Sequence, residues 1–488
     1  MKSFSIIFIA LLFSHLSFSQ IQFEKNPFDK EAPFSYIPVN EELWRSYEKN
    51  IKSKSHDANL DLVKSLQFSK LKMNEKAEAY LILAENAFES GRPNLASLLV
   101  FEINKIFPLS NQSIRSLYLL EKIYQKHNII DEVFLFENIF DQDINLNDKK
   151  IPRDLKSFIS YLYLEKTDSK KFKIDQKAMV RFIQPDTEWQ LRLDYKKALY
   201  ELFNNRLDAA IEIFEKLLAN KNTSEYLRRR TERQLARLLF EKGDFEKSFD
   251  YLKNLQFQAE DGGAILLERA WNKYYLRHYS KALGLLTALD SPLFINSMSP
   301  ESYILKILIY KELCIYDSVF QIKNDFEKKY SKSISAIKKR QDLDKDNTLK
   351  RWALQNYVLK QEALSITGLR QDMKWFEDHF SGTDIYKYFK EVTATKEKQI
   401  QDRLAFKLKK ELRKVADQLL NYNEQISFLD YQTKVDSLKI KSNNFKRNYS
   451  PETISFITFD RLYWNYVGEL WIDELENLRV LVKSKCED

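Results

Sequence analysis

Apolar residues recur along most of this chain at helical rather than strand spacing, and small residues punctuate them at fixed intervals. Four segments align without gaps, beginning at Ala198, Ala236, Ala270 and Ile307. Twelve residues into each stands a second small or branched residue: Ala210, Ser248, Ala282 and Val319. Both series step by 38, 34 and 37 residues. An earlier copy carries Ala84, Gly91 and Ala96 and closes with Phe107-Pro108. A weaker one centres on Leu120 and Val133, and the interval before Ala210 has room for a degenerate copy around 155–185. Small residues at fixed helical positions let two helices approach closely, while large apolar residues one turn away fill the space between them. One such pair cannot bury its apolar face alone, so the copies must stack. The pattern predicts an array of paired helices over about 71–335, preceded by an N-terminal segment at 20–70.

A different period follows. After a helical connector over 336–391, residues 392–444 contain neither proline nor glycine. Leu408, Leu412, Val415, Leu419, Tyr422, Ile426 and Leu429 form an a/d heptad seam. It predicts one long helix packed lengthwise on another, either from a second copy or from its own chain. Its first part is basic, with Lys407, Lys409, Lys410, Arg413 and Lys414, which suits a solvated face. Polar stretches at 341–347 and 443–451 read as connectors, and the aromatic remainder, 445–488, as a helical C-terminal cap. The expected fold class is therefore all-α: a solenoid, a long coiled-coil-like helix and a cap.

Composition agrees with helices. Eight glycines and ten prolines in 488 residues are too few for the turns of a sheet protein of this length. The N-terminus adds an address. Lys2, the apolar run Ile6–Phe13 and the small residues Ser17 and Ser19 have the layout of a secretory signal peptide, with cleavage expected after Ser19. The run is too short to span a bilayer, which takes roughly 20 apolar residues. The mature chain is expected to be exported, periplasmic or associated with an outer membrane, and not membrane-spanning. Its net charge, +8 in all and +7 once Lys2 has left, is a mild excess over this length. Nucleic acid is not an expected partner of an exported chain with no binding module. Two cysteines, Cys314 and Cys486, are too few for a disulfide-dependent fold, and whether they pair is left open.

The repeat resembles the tetratricopeptide family. The matching residues are the first-helix alanines (84, 198, 236, 270), the turn Gly243-Asp244-Phe245, the second-helix residues Ala96, Ala210, Ser248 and Ala282, and Pro108. Steps above 34 and missing first-helix aromatics depart from the family pattern. The stretch Leu289–Tyr303 and the segment Trp464–Leu475 look similar to exported repeat proteins from the envelopes of gliding and predatory Gram-negative bacteria. The resemblance implies a superhelix whose first helices line a concave groove for other proteins, with envelope components as partners. Carried onto this chain, that groove would be lined by Arg230, Arg233, Arg237, Trp271, Tyr274 and Tyr275. Arginines at i, i+3 and i+7 share a helix face and, beside aromatics, suit an acidic or C-terminal peptide. Equally, they would pair with Glu225 and Glu232 while the rings form core between repeats.

Catalytic motifs are absent. There is no phosphate-cradling G-x-x-x-x-G-K-[ST] or G-x-G-x-x-G and no G-x-S-x-G elbow. His56, His127, His278 and His379 are scattered, so no metal-ligand spacing exists and no cofactor is expected. The enzyme alternative is a lytic transglycosylase, whose helical superhelix carries a glutamate in a Glu-Ser pair. Glu301-Ser302 matches that dipeptide, but within the repeats and without the glycine-rich motifs expected downstream. The reading that remains is a non-enzymatic, protein-binding scaffold.

Overall fold

A computed structural model describes residues 36–53, 55–127, 146–166, 172–255, 261–294, 299–443 and 478–486. The expected signal peptide, Val133 and the segment Trp464–Leu475 lie outside the described residues. Among those described there is no strand, and the fold is all-α, built from stacked helix pairs and ending in long helices. The helices are α1 (Glu41–Lys52), α2 (His56–Lys64), α3 (Met73–Glu89), α4 (Pro93–Ile106), α5 (Asn111–His127), α6 (Arg153–Lys166), α7 (Phe172–Met179), α8 (Glu188–Phe203) and α9 (Leu207–Ala219). They continue with α10 (Glu225–Glu241), α11 (Phe245–Lys253), α12 (Gly262–Tyr275), α13 (Tyr279–Ala288), α14 (Glu301–Glu312), α15 (Tyr316–Lys338), α16 (Asn347–Ala353), α17 (Tyr357–Phe380) and α18 (Asp384–Asn443).

The repeat read from the sequence is physically real. In five copies the two helices meet at a left-handed residue in one register: Gly91, Asn205, Gly243, Arg277 and Cys314, with φ of 71°, 59°, 84°, 59° and 54°. The next N–H reaches back five residues to a first-helix carbonyl, from Arg92 to Ala87, Arg206 to Glu201, Asp244 to Leu239, His278 to Lys273 and Ile315 to Tyr310, at 2.8–2.9 Å. This closure satisfies carbonyls that a helix end otherwise leaves unpaired. The small and branched residues on which the alignment rests, Ala84, Ala198, Ala236, Ala270 and Ile307 with Ala96, Ala210, Ser248, Ala282 and Val319, are all fully buried. A larger side chain there would hold the paired helices apart.

The chain forms two compact units. One comprises the described residues of 20–235 and 360–405. Its core runs from Leu43 and Trp44 through α3–α6 to Trp189 and Leu193, and includes Phe376, Phe380, Ile385 and Phe389 from α17 and α18. Helix α4 begins with Pro93 and has no side-chain cap of its own. Asp372 of α17 supplies one, accepting from Asn94 N (2.9 Å), Leu95 N (3.1 Å) and Asn94 Nδ2 (3.3 Å). Burial nevertheless holds the Asp372 carboxyl above its ordinary pKa. Gly368, one turn earlier, has no Cβ because the Asn94 amide occupies that space.

The other unit comprises the described residues of 236–359 and 406–488. Here the heptad seam finds its partner within the chain. Leu412, Val415, Leu419, Tyr422 and Ile426 of α18 are buried against Ile304, Ile307, Phe326, Tyr330, Leu349 and Trp352 of α14–α16, with Leu408 and Leu429 packed at the edges. Each fully buried side chain of this size contributes about 1.5–3 kcal/mol. The seam left open to a second copy is thus occupied by the chain's own helices.

Residues 478–486 depart from the helical cap expected over 445–488. They run extended, with Leu478, Val480 and Val482 turned inward onto the core of α12–α14 and Arg479, Leu481 and Lys483 outward. Alternation of period two is strand-like, and it carries no helical apolar face. Cys486 closes the segment through a disulfide to Cys314, joining residues 172 apart.

Candidate functional site

The six residues expected to line a groove fall in different units and are described there separately. In the first, Arg230 lies over the rings of Tyr195 (4.8 Å) and Tyr226 (5.5 Å) and donates to the Tyr226 hydroxyl at 3.0 Å. Its counterpart one repeat earlier, 38 residues back, is Arg192. That guanidinium faces Tyr124 (5.3 Å), Trp189 (5.4 Å) and Tyr226 (5.2 Å) and pairs with Glu188 at 2.7 Å, both side chains buried. Rings and guanidinium groups alternate in a ladder through the stacked helices. Such contacts contribute about 0.5–2 kcal/mol each, more when desolvated. Arg233 is buried in α10. The sequence flagged Arg230 but missed Arg192 and Glu188, although the 38-residue step points to Arg192.

In the other unit, Arg237 gives Nε and Nη2 to Glu268 Oε1 at 3.1 and 2.6 Å, with side-chain exposures of 5% and 12%. Trp271 is buried, and its indole N–H donates to Glu301 Oε1 at 2.7 Å. Tyr274 is half-buried beside Tyr279. Tyr275 stacks on Phe245 (4.5 Å, 9° between planes) with Phe240 edge-on at 5.3 Å, yet remains 46% exposed. Of the six residues it alone is exposed, and the others sit among their own helices' partners.

Glu301, the residue of the enzyme alternative, opens α14 with Pro300 in the preceding position. Besides Trp271 its carboxylate meets the Tyr422 hydroxyl, and burial pushes its pKa up to about 7. A glutamate poised near neutrality can exchange a proton. The same arrangement occurs in the first unit, where Trp189 Nε1 donates to Glu121 Oε1 at 2.6 Å and burial again raises the carboxyl to about 7. Glu121 is followed by Lys122, not serine, so this indole–carboxylate contact occurs in the fold without a Glu-Ser pair.

A cleft of about 340 Å³ is lined by Val63, Lys64, Leu66, Gln67, Phe68 and residues 382–385, and offers only Lys64 and Asp384 as charged groups. Among the described residues, no three His, Cys, Asp or Glu side chains are grouped to hold a metal ion, and no helix is long and apolar enough to cross a membrane.

No protein-family model matches this chain, and no curated protein matches it either. One solved structure with which it aligns is described as a "Circular tandem repeat protein with novel repeat topology and enhanced subunit contact surfaces". The identity is 12%, covering 83% of this chain and 91% of that one, with a TM-score of 0.12, so the two do not superpose.

Proposed function

We propose that this protein is an exported, non-enzymatic scaffold of the bacterial cell envelope that binds other proteins in a motility, secretion or envelope-assembly complex. The observation that carries the exported part of the reading is the Cys314–Cys486 bond, which ties a repeat turn to the extended segment 478–486. Structural disulfides persist in oxidising compartments and are rare where cellular thiols stay reduced. That supports export independently of the signal-peptide pattern at 1–19. Stacked helix pairs support binding, because such arrays present extended surfaces to other chains. The tetratricopeptide likeness and the envelope likeness add the finer assignment, with envelope proteins as partners.

Tyr275 is where the groove reading is open to test, since its ring is exposed beside Phe240 and Phe245. Crosslinking in intact cells, followed by identification of captured proteins, should recover envelope components, and Tyr275→Ala should lower that recovery while the helical circular dichroism at the capture temperature stays that of wild type. Recovery unchanged by Tyr275→Ala would remove this face from the binding surface. The wall-active alternative has its own assay. Purified protein should release no soluble fragments from murein, and release abolished by Glu301→Gln would overturn the scaffold reading.

A further inference from the structure

The segment Leu478–Cys486 touches the repeat as a bound peptide would. Val480 N donates to Ser280 O at 3.1 Å, and Lys485 N to Leu313 O at 2.8 Å. Leu478, Val480 and Val482 pack on the core that includes Ala282, Leu286, Leu305 and Ile309. Gly284 of α13 leaves the room the segment needs. A Cβ there would overlap the Leu478 carbonyl, and that obstacle is backbone, which cannot swing aside. Cys314 holds the left-handed turn position (φ 54°), as Asn205 and Arg277 do in two other copies. It is bonded to Cys486, the last described residue of the segment.

We propose that the face of α13 and α14 is a docking groove for an extended peptide with branched apolar side chains at every second position, occupied in cis by Leu478–Cys486, and that the Cys314–Cys486 bond is the latch that keeps it filled. Two backbone hydrogen bonds and three half-buried side chains are a small contact, and tethering makes it permanent by raising its effective concentration. A dithiol opens the latch. It supplies two electrons and two protons, the Sγ–Sγ bond breaks to leave thiols on Cys314 and Cys486, and the reductant becomes a disulfide. The groove then accepts a second peptide of the same pattern. The groove is independent of the Tyr275 face, and the latch shares the Cys314–Cys486 bond with the exported reading.

The test uses the full chain as oxidised wild type and as Cys486→Ser. Hydrogen exchange read by mass spectrometry should show the amides of Val480 and Lys485 protected in the oxidised protein and exchanging at least tenfold faster in Cys486→Ser. A fluorescent peptide with the sequence of residues 478–485 should bind Cys486→Ser and not the oxidised wild type. The same peptide with Lys in place of its two valines should bind neither. Adding Gly284→Leu to Cys486→Ser should abolish peptide binding with the helical circular dichroism unchanged. Equal exchange in the two proteins would overturn the latch. Peptide binding indifferent to the valines would overturn the groove, and does so even where Gly284→Leu fails to fold.

Discussion

Helices α4 and α13 are the second helices of two copies of one repeat, and each is met by a segment from far along the chain. At α4 the visitor is another helix. Asp372 caps its first turn, and Gly368 makes way for Asn94. At α13 the visitor is an extended strap, Gly284 makes way for its backbone, and a disulfide holds it. The same internal architecture thus carries a polar, reversible closure in one unit and a covalent one in the other. The repeat itself therefore does not decide how a copy is covered. The groups that arrive do: a capping carboxylate from α17 in one unit, a backbone strap and a cysteine in the other.

The largest effect should come from the covalent closure. A loop of 172 residues gives a chain-entropy ceiling of about 5 kcal/mol, and disulfides typically deliver about 2–4. Cys486→Ser should therefore lower unfolding free energy by about 3 kcal/mol in urea, and reductant should reproduce the loss in wild type while leaving the variant unchanged. At the polar closure, Asp372→Ala strips the buried N–H groups of Asn94 and Leu95 of their acceptor and should cost about 2 kcal/mol in the same measurement. If that variant proved neutral, α17 would be a passive neighbour of α4 and the parallel would fail.

Each unit also holds a buried glutamate that accepts from an indole, Glu121 in one and Glu301 in the other. Both are raised to about 7 by burial, so the folded state binds their protons more tightly than the unfolded chain does. Their contribution to stability is full below the unfolded value near 4.5 and is lost as pH rises through about 7. Replacing either by Gln keeps an oxygen acceptor for the indole and should flatten the decline between pH 5 and 8 by about 1–2 kcal/mol. Urea midpoints across that range would show it, and a decline as steep as wild type would mean that these carboxyls are already ionised at pH 5. The smallest effect belongs to a turn that nothing covers. Gly243 has open space around it and φ of 84°, so Gly243→Ala should cost about 1 kcal/mol from backbone conformation alone.

The repeat was legible in the sequence because its causes are local. Ala198, Ala236 and Ala270 recur at steps that the left-handed turns then reproduce. The a/d seam was legible for the same reason, and only its partner had to be found. The closures were not legible. Asp372 lies 277 residues from Leu95 and Cys486 lies 172 from Cys314, and no period links them. The candidate groove fared differently again. The shared face of Arg230, Arg233 and Arg237 follows from helix geometry, but whether guanidinium groups meet a ligand or their own neighbours depends on packing. Here Arg230 rests on Tyr195 and Tyr226, and Arg237 on Glu268.

The covalent strap joined to the turn between α14 and α15 is the point on which both the exported reading and the latch turn. Protein isolated from its native source, with free thiols alkylated before lysis and digestion done without reductant, can be read by mass spectrometry. The account predicts a single crosslinked species joining the Cys314 and Cys486 peptides, with neither cysteine alkylated. Two alkylated cysteines and no crosslink would contradict it.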